Sequence, residues 1–254
     1  MRYITVLILL LTGIVRAEPT ITLTLQEYPP FMGESLPDKG LMTSAVVAVF
    51  HHAGYLVVLQ PTPNNRAIEA PRRGLVDGSF GWAKTSERER DLYFTEPVMA
   101  LRMVFCQQKG LNHPWQTLTD VAHYRVGTTL GNFYSDEFDA LVHAGTLKPD
   151  VAQSDEANLH KLALGRIDLF PIDAEVGPYL MSHTLTPEER SKLTCPDQAY
   201  WSAPLHVVIS KKLADGAAIA AAFDKSLNSM RKTGELQRVI DTTRQKILSE
   251  AAHK

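Results

Sequence analysis

Histidine and cysteine, the residues that most often bind metals or act as nucleophiles, occur in this chain without a recognisable motif. The nine histidines are scattered, and none forms a pair with the spacing of known zinc sites. The two cysteines, Cys106 and Cys195, can form one disulfide or remain two separate buried thiols. An even number of cysteines favours the disulfide if the protein is exported. We therefore predict no metal site and no thiol–histidine catalysis.

Arginine and aspartate side chains are the other groups that could carry chemistry. Arg88 lies in a run of alternating charges at residues 87–91, and a guanidinium can hold a carboxylate through two parallel hydrogen bonds. By composition alone, such a run is more typical of a solvated surface. Asp173 directly follows the apolar residues 169–172, where a carboxylate can cap a helix. Residue type alone therefore leaves a binding role and a structural role open for both side chains.

The composition describes an ordinary globular protein of one or two domains. The chain has 254 residues, of which 44% are hydrophobic and 21% are charged, with a formal net charge of −2. This balance excludes a disordered chain, and 15 Gly and 15 Pro exclude a collagen-like one. With 26 basic and 28 acidic residues, the chain has no excess of positive charge that would attract nucleic acid. We therefore expect no nucleic-acid partner.

The first seventeen residues have the pattern of a secretory signal peptide. Arg2 precedes an apolar run at residues 4–15, and Val15 and Ala17 provide small residues for cleavage before Glu18. The alternative, a membrane anchor, is disfavoured because the run is shorter than the roughly 20 residues a spanning helix needs. No later segment is apolar enough to span a bilayer. We expect cleavage after Ala17 and an exported, soluble protein.

Hydrophobic periodicity predicts the elements that must position these residues. Residues 20–25 alternate as in a half-buried strand, residues 41–53 follow helical spacing up to Gly54, and residues 55–59 are strand-like. A strand–helix–strand order of this length indicates a parallel α/β layer.

The same order recurs further along the chain. The later predictions are a strand at 124–128, a helix before Gly145, a helix from Ser154 to Leu164, a strand at 167–172, a capping box at Thr186, and helices from Asp215 with a break at Gly234. Two strand-like stretches, 101–107 and 205–210, could carry the chain between two α/β units and back. Such a double passage would form a hinge beside a cleft, where ligands usually bind in α/β proteins.

Several motifs in register resemble one known family. They are TSER at 85–88, FTEP at 94–97, GLVD at 74–77, VG at 126–127 with Gly131, and GRID at 165–168 with Asp173 five residues later. The chain resembles the family 3 extracellular solute-binding proteins, the periplasmic amino-acid-binding components of ABC importers. The resemblance implies an α/β fold of the type II periplasmic-binding-protein class, in which two crossover strands form a hinge. We expect lobe 1 at residues 18–101 plus 207–254, and lobe 2 at residues 102–206.

The resemblance also implies roles for individual side chains. Arg88 would bind the ligand carboxylate, and Asp173 would bind its ammonium group. The turn at Gly131, Asn132 and Phe133 is expected to open a helix, whose free backbone N–H groups would face the same carboxylate from lobe 2. A ligand held in this way would favour closure of the lobes.

A wall of further side chains is expected around these polar groups. Tyr28 and Phe31 fall near the family's aromatic position in lobe 1, although aromatics beside a Pro-Pro turn are more often packing residues. The remaining candidates for the cleft are Gly81, Trp82, Ala83 and Arg66. Ala83 stands where the family usually has a hydroxyl residue, and Asn132 where it often has threonine. These departures suggest a divergent or orphan branch and leave the ligand open.

The functional prediction is a monomeric binding protein without a cofactor that captures a small amino-acid-like solute. Its partner would be an ABC permease or a membrane sensor. The alternative is an enzyme on the same scaffold that resembles cyclohexadienyl dehydratases, with Glu27, Glu69 or Asp173 as the acid.

Overall fold

The computed structural model describes residues 18–111 and 113–252. The predicted signal peptide at residues 1–17 and its cleavage site lie outside this range. Nine strands are described: β1 (Thr20–Leu25), β2 (Leu56–Pro61), β3 (Gly78–Trp82), β4 (Leu92–Gln108), β5 (Gly127–Thr129), β6 (Asp150–Ala152), β7 (Phe170–Asp173), β8 (Leu193–Thr194) and β9 (Ala199–Ser210). The α-helices described are α1 (Leu41–His52), α2 (Asn64–Ala67), α3 (Glu69–Arg72), α4 (Asp136–His143), α5 (Asp155–Ala163), α6 (Val176–Thr184), α7 (Pro187–Ser191), α8 (Gly216–Lys232) and α9 (Glu235–Ala252).

Most of the strands form one sheet that runs through both halves of the molecule. Its order is β2-β1-β3-β9-β4-β7, and β8 pairs with β4 at one end. Strand β1 is parallel to β2 and β3, as the strand–helix–strand pattern predicts. The short strands β5 and β6 form a separate parallel pair.

Strands β4 and β9 are the two crossover connections. They pair antiparallel from Leu92 with Ser210 to Val104 with Ala199. The predicted boundaries near residues 101 and 207 fall within these paired strands. The two-lobed α/β fold with two crossover strands is therefore confirmed, whereas the division into 18–101 plus 207–254 and 102–206 stays a prediction.

Hydrophobic cores lie on both sides of the crossover. The largest packs β1, β3 and β9 against α1, α8 and α9, with Phe50 and Phe223 completely buried. We call this half lobe 1. Two smaller cores fill the other half, lobe 2, one around Phe170 and one around Phe138. No helix within the described part of the chain is long and apolar enough to cross a membrane.

A disulfide joins two segments of lobe 2. Cys106 near the end of β4 and Cys195 after β8 are bonded, so the predicted pair is present. Helix α6 passes so close that a Cβ at Gly177 would lie 3.2 Å from each sulfur. The disulfide is therefore packed into the core that supports the start of α6.

Local sequence signals account for several helix ends. Thr186 and Glu189 form both bonds of the predicted capping box at α7, and Ser154 accepts a hydrogen bond from the backbone of Ala157 at the start of α5. The predicted strands at 124–128 and 167–172 are shifted toward their C-terminal ends, at Gly127–Thr129 and Phe170–Asp173. Just before these strands begin, Val126 and Leu169 form a single parallel bridge.

Candidate functional site

A cavity of about 330 Å³ lies between Tyr28 of lobe 1 and the loops at one edge of lobe 2. It is lined by Tyr28, Met103, Gly131, Asn132, Phe133, Tyr134, Asp155, Pro171, Ile172, Asp173 and Val176. Four of the predicted ligand-binding residues, Tyr28, Asn132, Phe133 and Asp173, therefore meet in one place. They come from positions up to 145 residues apart in the sequence.

Tyr28 enters the cavity from a tight loop that follows β1. The backbones of Tyr28 and Met32 exchange two hydrogen bonds, of 2.8 and 3.1 Å. The Tyr28 ring stacks on Phe31 at 5.5 Å between ring centres. Phe31 itself is completely buried in the core of lobe 1 and does not line the cavity. Its ring packs beneath Tyr28 instead of facing this cavity, and a contact between Phe31 and the ligand stays a prediction.

Asp173 ends β7 and is almost fully buried, with 5% of its surface exposed. Its Oδ2 accepts a hydrogen bond from the backbone N–H of Arg102 at 2.7 Å. Its Oδ1 accepts bonds from the N–H groups of Glu175 and Val176, at 2.8 and 3.3 Å. Burial raises the pKa of the Asp173 carboxyl, although these three bonds oppose the rise. Asp173 thus organises the turn before α6, as its structural alternative predicts, and it also lines the cavity.

Asp155 is a second carboxylate in the cavity that sequence reasoning missed. It is the first residue of α5, where an acidic side chain is already expected because it interacts favourably with the helix dipole. Its Oδ1 accepts hydrogen bonds from the hydroxyl of Thr129 at 2.6 Å and from Nδ2 of Asn132 at 3.0 Å. Burial is the main cause that raises the pKa of the Asp155 carboxyl. No local motif could have shown this, because the end of β5 and the start of α5 meet only in the fold.

The turn at Gly131 does not open a helix directly, which corrects the prediction. The N–H of Asn132 bonds to the carbonyl of Thr129 at 3.1 Å and so closes a turn. Helix α4 begins only at Asp136, where Ser135 accepts a hydrogen bond from the backbone of Phe138. Ser135 provides the side-chain N-cap, so the helix begins after Ser135 and not at the Gly131 turn. Phe133 is 54% exposed, and its ring meets Trp201 edge to face at 5.8 Å.

Arg88 lies outside this cavity, in a cluster with Gly81, Trp82 and Ala83. Its guanidinium donates to the carbonyl of Ala83 at 2.8 Å and lies 5.1 Å from the centre of the Trp82 ring. Trp82 in turn donates from Nε1 to Ser79 Oγ at 2.7 Å. Gly81, with φ +84°, forms a bulge between Phe80 and Trp82 in the pairing of β3 with β9. None of these four residues lines the cavity with Asp173.

The other residues singled out in the sequence either lie outside the cavity or stabilise the fold. Arg66 is exposed on α2 and does not line the cavity. Asp77 and Asp168, the acids that end two of the motifs, are structural: Asp77 accepts from the N–H of Thr22, and Asp168 pairs with Arg125. Within residues 18–111 and 113–252, no cluster of three or more His, Cys, Asp or Glu side chains could hold a metal ion.

Comparison with known proteins identifies a family that covers most of the chain. The family model described as bacterial extracellular solute-binding proteins, family 3, matches residues 21–243. No curated protein sequence matches the chain significantly.

Solved structures of this fold align over most of their length. Substrate-binding domain 2 of GlnP from Lactococcus lactis, in an open conformation, is 16% identical with a TM-score of 0.71, over 89% of this chain and 95% of that one. The L-cystine solute receptor of Neisseria gonorrhoeae, unliganded and open, is also 16% identical with a TM-score of 0.71, over 91% and 95%. The amino acid ABC transporter substrate-binding protein AbpA from Streptococcus pneumoniae, bound to L-arginine, is 18% identical with a TM-score of 0.61, over 90% and 96%.

Proposed function

The chain belongs to the bacterial extracellular solute-binding proteins, family 3, and we propose that it captures an amino-acid-like solute in the cavity between its lobes. The observation that supports this most directly is the meeting of Tyr28 from lobe 1 with Asp173 from lobe 2 around one cavity. A small ligand there touches both halves of the molecule. Binding proteins of this family act outside the cytoplasm in solute uptake through ABC transporters.

The two charges of a free amino acid need separate partners. Its ammonium group is costly to remove from water unless it meets an acceptor, and the buried carboxylate of Asp173 is such an acceptor. Its carboxylate would be held by Arg88, whose guanidinium is already oriented by Ala83 and Trp82. Because Arg88 lies outside the cavity in this structure, the proposal requires the lobes to close around the ligand.

Several finer points belong to the same proposal. Residues 1–17 would act as a signal peptide that is cleaved after Ala17, and the mature protein would be a monomer. It would present its closed form to an ABC permease or, in the sensing alternative, to a membrane receptor. The structural neighbours include an L-cystine solute receptor and an amino acid ABC transporter substrate-binding protein bound to L-arginine, which supports an amino acid as the ligand class. The protein would act without catalysis, so incubation with prephenate should give no new ultraviolet absorbance.

Calorimetry of the mature protein against a panel of amino acids tests the proposal. We expect Arg88→Ala to weaken binding of the best panel ligand by about 100-fold or more, since it removes a charge-assisted bidentate contact. Asp173→Asn should weaken it by a similar factor. Both variants should stay folded, as judged by circular dichroism.

Two matched variants serve as controls. Arg90→Ala removes an exposed arginine from the same turn as Arg88. Asp224→Asn removes a carboxylate that also accepts a backbone N–H, from Glu96 at 2.7 Å, but lies on α8 away from the cavity. Both controls should bind the panel ligand normally. Undiminished binding by Arg88→Ala and Asp173→Asn, or binding of no amino acid at all, would refute the proposed function.

A further inference from the structure

The lining of the cavity carries more negative charge than an ordinary amino acid can neutralise. Two carboxylates line it, Asp155 and Asp173, and among the described lining residues there is no lysine, arginine or histidine. If Arg88 joins the closed site, the protein still contributes one positive and two negative charges. An amino acid with an uncharged side chain brings one of each. One buried carboxylate would then remain without a cation, which is unfavourable in a closed site.

The structure holds Asp155 in a defined position by a relay of hydrogen bonds. Asn158, which is completely buried, donates from Nδ2 to Thr129 Oγ1 at 3.0 Å. Because that oxygen accepts from Asn158, the Thr129 hydroxyl proton is directed to Asp155 Oδ1, at 2.6 Å. Asn132 donates to the same Oδ1 atom. The carboxylate is therefore fixed before any ligand arrives.

The relay leaves the other oxygen of Asp155 available. Both described hydrogen bonds reach Oδ1, and Oδ2 accepts none from the residues that the structure describes. Nor does Asp155 form an ion pair with any of them. Asp173 differs, because backbone N–H groups occupy both of its oxygens. Asp155 thus offers a charged, oriented and unoccupied acceptor in the lining of the cavity.

The relay leaves one polar atom of Asn158 without a hydrogen bond. Oδ1 of Asn158 is buried and has no hydrogen-bond partner among the described residues. Such an atom lowers stability, since it loses its bonds to water and gains none. Asn158 therefore gives up one possible bond, while its amide group orients Thr129 toward Asp155. This arrangement is expected where the position of a carboxylate matters for binding.

We propose that Asp155 binds a second positive charge on the ligand, so that this protein selects amino acids with a cationic side chain. This inference rests on the proposed function, in which Asp173 takes the α-ammonium group and Arg88 the carboxylate. A basic amino acid then satisfies all three charged side chains at once. The planar guanidinium of arginine and the ammonium of lysine are both suitable donors for the free Oδ2.

Pairs of ligands with nearly the same shape test the charge directly. L-arginine is compared with L-citrulline, which replaces the guanidinium by a neutral urea group, and L-lysine with L-norleucine, which lacks the amino group. We expect the wild-type protein to bind the basic member of at least one pair about tenfold or more tighter, the usual contribution of a charge-assisted hydrogen bond. This comparison requires no variant and is therefore independent of any effect on folding.

Variants of the relay locate the preference at Asp155. Asp155→Asn should reduce the preference for the basic ligand to about threefold or less while it still binds the neutral analogue. Thr129→Val, which leaves the carboxylate but removes its donor, should reduce the preference partly. Asp136→Asn is the matched control, because Asp136 is likewise the first residue of a helix after a capping serine but is exposed and outside the cavity. It should keep the full preference.

The possible failures are distinguishable. If neutral amino acids bind as tightly as their basic counterparts, or if Asp155→Asn keeps the wild-type preference, the inference about Asp155 is wrong while the proposed function stands. If no amino acid of either kind binds, the proposed function fails and this inference fails with it.

Discussion

Two carboxyl groups without cationic partners lie in one cavity, and their burial disfavours the charged forms in the ligand-free protein. Asp155 and Asp173 line the same space, and neither forms an ion pair within the described parts of the chain. Burial raises the pKa of both carboxyls. It also raises the pKa of Tyr28, with the two carboxylates as further causes, to about 12. The hydroxyl of Tyr28 is therefore protonated at neutral pH and can donate a hydrogen bond.

The raised pKa of Asp155 predicts how its contribution to stability changes with pH. Above 3.8, the ordinary pKa of an aspartate, the unfolded chain releases this proton while the folded protein still holds it. The folded state then binds more protons than the unfolded state, so a rise in pH lowers the free energy of unfolding until the folded pKa has been passed. Relative to Asp155→Asn, the wild-type protein should therefore lose stability as the pH rises above 3.8, until the folded pKa of Asp155 has been passed.

Urea unfolding of the ligand-free proteins at several pH values measures this difference. The comparison with Asp155→Asn removes the contributions of other acids, such as Asp38 and Asp168, whose pKa values are lowered by their basic partners. Their stabilisation is lost at lower pH, below 3.8. A difference between wild type and Asp155→Asn that stayed constant, or grew in favour of the wild type as the pH rose, would contradict the assignment.

At the scale of elements, much of the fold could be predicted because its signals are local. The periodicity of α1, the alternation of β1 and the capping box of α7 each depend on residues within a few positions of one another. The resemblance to the family likewise brought Tyr28 and Asp173 into the predicted site.

What the sequence could not show at the same scale depends on packing and on contacts between elements. Phe31 and Tyr28 are three residues apart in one loop, and only the packing of lobe 1 decides which ring is covered. Asp155 was missed because its partners Thr129 and Asn132 lie more than twenty residues earlier in the chain. A single sequence does not show which strand end faces which helix start.

The disulfide leads to a prediction about the support of the site. It joins β4 to the segment after β8 across 89 residues, and α6, which follows Asp173, packs against both sulfurs. Opening this loop gives conformational freedom to the unfolded chain. The double variant Cys106→Ala with Cys195→Ala should lower the free energy of unfolding by about 2–5 kcal/mol, measured by urea without reductant. Dithiothreitol should destabilise the wild type and leave the double variant unchanged; an equal effect on both would contradict the prediction.

At the scale of the whole molecule, the crossover strands are not the only link between the lobes. Glu175, which precedes α6 in lobe 2, forms a bidentate pair with Arg244 of α9 in lobe 1. The distances are 2.9 Å from Nε to Oε2 and 2.6 Å from Nη2 to Oε1. Because the N–H of Glu175 also donates to Asp173, this pair connects the last helix of lobe 1 to the loop that carries Asp173, the carboxylate proposed to bind the ammonium group.

A double-mutant cycle on this link should reveal coupling between the lobes. The two side chains are 25% and 30% exposed, so water screens the pair only partly, and its two parallel hydrogen bonds give it a fixed geometry. We expect Glu175→Gln and Arg244→Ala each to lower the free energy of unfolding, with a coupling energy of about 1 kcal/mol between them. Asp241→Asn is the control, because Asp241 contacts Arg244 from the same helix and so links no lobes. If the effects of Glu175→Gln and Arg244→Ala were simply additive, this ion pair would not couple the lobes. The arrangement of the lobes would then depend only on strands β4 and β9 and on the packing of α6 against α9.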